Sequence, residues 1–184
     1  MPVIVSLLRG VNVGGHLIKM DALRDLYESL GLRRAETFIQ SGNVVFSTQA
    51  RDLPRLARRI EDAIEKRFGF PCDVVLRSAA EMRDSLARNP FDERPGIDPS
   101  RLLVTFLGGD PDPEGSAALS AMDIAPEELR IIGRDVWAYF PNGLARPKLP
   151  WHDIGKRLKT AGTARNLSTV RKLLAMAERQ EASQ

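Results

Sequence analysis

At 184 residues the chain can bury a sizeable core as one ordinary domain or two small ones, and with 43% hydrophobic and 28% charged residues it has the make-up of a globular protein. No apolar run approaches the ~20 residues of a membrane helix, Met-Pro-Val-Ile-Val-Ser lacks the features of a secretory leader, and one cysteine, Cys72, excludes an internal disulfide. The formal charge of +3 is unevenly spread, with nine Lys or Arg against three acids from Leu144 onward and a net negative charge before it. That asymmetry points either to an anionic partner or to solvated helix faces near the chain end.

Pro2 to Leu8 is an almost unbroken apolar run and predicts a strand covered on both faces. A polar, glycine-rich loop follows. Met20, Leu23, Leu26, Tyr27 and Leu30 then make a helical stripe that stops at Gly31. Thr37–Ile39 and Val44–Phe46 read as two strands of a tight antiparallel hairpin turning through Gln40, Ser41, Gly42 and Asn43. Asp52 is the expected N-cap of a helix with Leu53, Leu56, Ile60, Ile64 and Phe68 on one face and Gly69 at its end. Cys72 to Arg77 returns to a strand, with the thiol read as a buried structural group.

Ser78 and Glu81 form a capping box for a short helix that turns Met82 and Leu86 inward. Residues 89–100, with three prolines and a glycine, mark the expected boundary. Beyond it come a strand over 101–107, a short helix over 114–122, and a hairpin of 129–132 with 136–140. Trp151, Ile154 and Leu158 share one helical face, and Leu167, Val170, Leu173, Leu174 and Ala177 share another, capped by Asn166. The expected class is therefore α+β, with two ferredoxin-like subdomains of the βαββαβ type, the second degenerate and followed by C-terminal helices. The expected division is 1–77 for the first subdomain, 78–100 for a helix and Pro-rich connection, and 101–184 for the second subdomain with its basic helices.

Leu8-Arg-Gly-Val-Asn-Val-Gly-Gly15, Phe38-Ile-Gln-Ser-Gly-Asn-Val44, Asn89-Pro-Phe91 and Thr163-Ala-Arg-Asn166 with Thr169-Val170 stand in an order that resembles the bacterial domain-of-unknown-function family 1697. The resemblance spans essentially the whole chain, with Leu167 standing where an aromatic residue often follows the Arg-Asn pair in that family. It implies a compact α+β protein of two related subdomains and brings no activity with it.

Candidate ligand-binding residues fall in three places. In the glycine-rich loop, Arg9, Asn12, Gly14 and Gly15 combine positive charge with backbone N–H groups able to approach an anion, though the glycine spacing fits neither a P-loop nor a dinucleotide fingerprint. In the hairpin, turn chemistry accounts for Gly42 and Asn43 and leaves Gln40 and Ser41 less well explained. The topology as read sets this turn at the end of the sheet where the first strand begins, away from the glycine-rich loop. Thr163, Arg165 and Asn166 lead a helix start, where free N–H groups and nearby Arg171 and Lys172 suit phosphate.

His16 and His152 lack partners at metal-binding spacing, and no cofactor or metal site is expected. The leading functional expectation is a cytoplasmic binding protein for a phosphate-bearing ligand, nucleic acid or nucleotide. The alternatives are an enzyme acting on a small anionic metabolite in a cleft between the subdomains, and a protein-interaction module.

Overall fold

The computed structural model describes residues 1–184. β1 (Val3–Leu8) is buried at every position, as its apolar run requires, and α1 (Met20–Ser29) seats Leu23, Leu26 and Tyr27 in the core. β2 (Arg33–Phe38) and β3 (Asn43–Ser47) form the hairpin. α2 (Leu53–Phe68) opens on Asp52, whose carboxylate accepts the Arg55 N–H at 2.9 Å, and closes on Gly69 at a φ of 83°. β4 (Val74–Ser78) leads into α3 (Ala79–Ala87) through the capping box: Ser78 N–H donates to Glu81 Oε2 at 2.8 Å and Glu81 N–H to Ser78 Oγ at 3.1 Å. Met82 points inward as expected, but Ser85 rather than Leu86 is its fully buried companion.

The second half comprises β5 (Leu102–Leu107), α4 (Pro113–Ser120), β6 (Glu128–Ile132), β7 (Asp135–Tyr139), a single 3-10 turn running into α5 (Ile154–Arg157), β8 (Gly162–Asn166) and α6 (Leu167–Ala182). The expectation of a degenerate second half is corrected by β8. It pairs antiparallel with β5, Val104 opposite Arg165, and supplies the fourth strand where the sequence suggested only the approach to a helix. The pattern hid it because Thr163, Arg165 and Asn166 carry no alternating apolar signal. Two four-stranded antiparallel sheets result, in spatial order β2-β3-β1-β4 and β6-β7-β5-β8.

The chain divides into two compact units, residues 1–83 with 172–184, and residues 84–171. The last helix, expected wholly in the second half, therefore contributes its C-terminal part to the first unit. There buried Gln180 donates to the Arg34 carbonyl at 2.8 Å. In the first unit Ile4, Leu8, Val44, Phe46 and Leu76 of the sheet pack with Leu23, Tyr27, Ile60 and Ile64 of α1 and α2. In the second, Leu103, Leu107, Val136 and Ala138 pack with Leu119, Ile154 and Leu158.

The units match at the level of single residues. Leu8 N–H donates to Gly42 O at 2.9 Å, and Leu107 N–H to Arg134 O at 2.9 Å; Arg9 N–H donates to Asp73 O at 3.0 Å, and Gly108 N–H to Ala161 O at 2.8 Å. Arg77 faces Val5 as Arg165 faces Val104, each arginine is buried, and each donates from Nη1 to the carbonyl of the residue before it. Asn43 and Asp135, both buried, open the third strand of their sheets, and Ser78 and Asn166 cap the helices that follow the fourth.

Candidate functional site

In the first unit three loops are tied together where β1 ends. β3 runs antiparallel to β1 with Leu7 opposite Asn43, so the hairpin turn sits beside the exit of β1, and β4 begins there too, with Leu8 opposite Val74. The expectation that the glycine-rich loop and the hairpin turn lie at opposite ends is thus overturned. An antiparallel partner of the first strand starts where that strand finishes. Asn12 Nδ2 donates to Gln40 O at 2.6 Å, and Cys72 Sγ lies 3.3 Å from Arg9 O. The His16 ring stacks on Phe70, centroids 4.4 Å apart and planes 8° from parallel.

Seven of the ten residues singled out from the sequence gather here, but they divide by task. Asn12, at a φ of 59°, spends its amide on the loop itself: Oδ1 accepts the Ile18 N–H at 2.9 Å, while Nδ2 donates to the Ile18 and Gln40 carbonyls. Buried Asn43 donates to Phe38 O at 3.1 Å and to Ser41 Oγ at 2.9 Å, so both side chains fasten the hairpin turn. Arg9 lies 3.4 Å from the Asp73 carboxylate with both side chains half exposed. Gly14 and Gly15, at φ of 59° and 92°, stand in open space, and Gln40 is exposed.

The remaining three, Thr163, Arg165 and Asn166, belong to β8 in the second unit. Arg165 is 9% exposed and donates to Thr163 Oγ1 and Ala164 O at 2.8 Å each, while Asn166 Oδ1 accepts the Thr169 N–H at 2.8 Å as the cap of α6. Their side chains are engaged within the protein rather than presented to solvent. Three of the nine basic residues from Leu144 onward are ion-paired: Lys159 with Asp112 at 3.0 Å, Arg171 with Asp92 at 3.8 Å, and Arg179 with Glu36.

Beyond these residues, the loop end presents apolar side chains to water. Val13 is 61% exposed, Leu17 75% and Ile39 51%, three of the five large apolar side chains left in water. Ile39, read as a strand residue, lies beyond β2 at a φ of 49°. For a β-branched residue the left-handed region is a genuine outlier, costing roughly 1–2 kcal/mol. The available signal was Val13 and Leu17 themselves, apolar residues in a glycine-rich loop without the spacing of a strand or helix. Elsewhere in this unit Ser6 Oγ and Tyr27 OH lie 2.7 Å apart in the core, and burial pushes the Tyr27 phenol far above its ordinary range.

The family model described as protein of unknown function, DUF1697, matches residues 1–137, from β1 through most of β7. Among solved structures the chain is similar to that reported as "The structure of conserved bacterial protein SP0830 from Streptococcus pneumoniae". The TM-score is 0.74 and the identity 22%, over 97% of this chain and 99% of that one, which establishes likeness of fold. No curated protein matches.

Proposed function

Because the chain belongs to the family of proteins of unknown function DUF1697, which carries no activity with it, we propose from the geometry that it is a binding module built on two ferredoxin-like repeats. Its recognition surface is the loop end of the first unit, and its partner is an apolar segment of another polypeptide. Ile39 carries this reading: one residue is both backbone-strained and half exposed, beside a loop that also leaves Val13 and Leu17 in water. Stability alone would favour glycine or asparagine at that φ, so an exposed isoleucine held there is explained by what it touches when bound.

Burying an aliphatic side chain contributes about 1.5–3 kcal/mol, so each such anchor is worth roughly tenfold or more in affinity, and the rest of the binding comes from the rim and the peptide backbone. The flanking polar groups, Arg9 and Gln40, and the open backbone at Gly14 and Gly15 make the rim. Panning a random-peptide library against the purified protein tests this. Enriched peptides should carry apolar anchors and bind Leu17→Asp and Ile39→Asp variants at least ~10-fold more weakly, one lost anchor being worth that much. Failure to enrich any peptide, or peptides indifferent to both substitutions, would refute it.

A phosphate-bearing ligand, nucleic acid or nucleotide, is the second reading at this surface. It draws support from Gly14 and Gly15, whose positive φ and open surroundings suit backbone N–H donation to an anion, with Arg9 adjacent. Such binding should weaken steeply with salt, whereas apolar anchoring should not.

A further inference from the structure

At the other end of the first unit's sheet, where β1 and β2 begin and β3 finishes, two adjoining clefts of about 260 Å³ each share Met1 and Arg33 as walls. Arg34 and the C-terminal Gln184 line one and Arg59 the other, with Ser47 and Thr48 adding hydroxyl groups, and no aspartate or glutamate side chain lines either. Arg34 donates to the Ser183 carbonyl at 3.0 Å and Arg59 to the Leu30 carbonyl at 2.9 Å, both neutral acceptors, and Arg33 has no partner. None of the three guanidinium groups thus forms an ion pair, whereas Arg83, Arg94 and Arg179 on the same protein each do.

The backbone is shaped to bring two of them together. Successive strand residues point to opposite faces, so Arg33 and Arg34 of a regular strand would diverge. Here the β2–β3 register shifts between Arg33 and Glu36, and Arg34 takes a φ of 54°, so that both arginines line one cleft. Bulges re-aim side chains in this way, and a non-glycine residue held at positive φ marks a conformation kept for a reason other than local comfort. Planar guanidinium groups match the oxygens of phosphate in paired hydrogen bonds, and in the adjoining cleft Arg33 and Arg59 stand beside apolar walls at Leu30, Leu32 and Leu56.

We propose that this arginine-lined cleft binds the phosphoryl group of a small phosphomonoester. The site is separate from the loop-end surface and stands whether or not that surface binds a polypeptide. Isothermal titration of the full chain with inorganic phosphate and with AMP, at low and moderate salt, tests it. Saturable binding of one equivalent is expected, weakened at least ~10-fold by Arg33→Gln, an exposed side chain whose loss disturbs no contact, and likewise by Arg34→Gly, which keeps the positive φ. Lys66→Gln, on exposed α2 surface, should leave it unchanged. Tighter binding of AMP than of phosphate would support a nucleotide as source, and equal affinity would support recognition of the phosphoryl group alone. No saturable binding of either, binding that survives both arginine substitutions, or equal weakening by Lys66→Gln would overturn the proposal.

Discussion

Ile39 and Gly42 both have positive φ within one turn, for opposite reasons. A Cβ at Gly42 would sit 2.7 Å from Leu8 Cβ and 3.3 Å from Val11 Cβ, so glycine there is what lets the hairpin turn close on the end of β1. Gly14 has the same sign of φ and empty space around it. Gly42→Ala should therefore cost roughly 2–4 kcal/mol, from backbone strain plus overpacking, and Gly14→Ala only about 1, in urea unfolding. Equal losses would show that the close approach at Gly42 is not what holds the loops together.

Tyr27 gives a pH signature at the same scale. Burial raises its phenol above the ordinary value near 10, so the folded state keeps a proton that the unfolded chain gives up. Its contribution is complete below about pH 10 and declines as pH rises further, by up to ~1.4 kcal/mol per pH unit. Unfolding free energies measured between pH 9 and 11 should fall less steeply for Tyr27→Phe than for the wild type. Parallel slopes would count against a buried neutral phenol.

Among the elements, those with strong periodicity or capping chemistry were legible in the sequence: β1 from its apolar run, α2 from Asp52, its stripe and Gly69, and α3 from Ser78 and Glu81. Two strands were obscured, each by its polar side chains. β2 begins with exposed Arg33 and Arg34 at a bulge, and β8 carries buried polar side chains, Thr163 and Arg165, where a strand ordinarily carries apolar ones. In β8 hydrogen bonding within the fold replaces hydrophobicity, whereas in β2 the charged side chains are simply exposed at the bulge. Alternate amides of Gly162–Asn166 should accordingly show strand-like protection in hydrogen exchange. Asn166→Ala should cost about 1 kcal/mol through lost capping of α6 while leaving that protection in place. An unprotected β8 would return the segment to a helix approach.

For the whole molecule, a matched pair of four-stranded units explains why positions as unlike as Arg77 and Arg165, or Asn43 and Asp135, are buried polar residues in corresponding places. The resemblance pointed to two related halves. The missing fourth strand in the second half came only from the pairing of β8 with β5. Candidate chemistry was legible in part: the polar residues of the two loops do cluster, yet Asn12, Ser41 and Asn43 build the surface rather than bind through it. Val13 and Leu17 carried a signal in lacking the spacing of a strand or helix, whereas the exposure of Ile39 is set by the three-loop junction and not by local pattern. No helix of the chain is long and apolar enough to cross a membrane.

The most direct test of the recognition surface is amide chemical-shift mapping of the full chain as a library-selected apolar peptide is titrated in. Shifts confined to residues 10–18 and 38–43, saturating together and abolished in Leu17→Asp, are the predicted outcome. Saturating shifts centred on any other part of the protein, with residues 10–18 unmoved, would contradict the account.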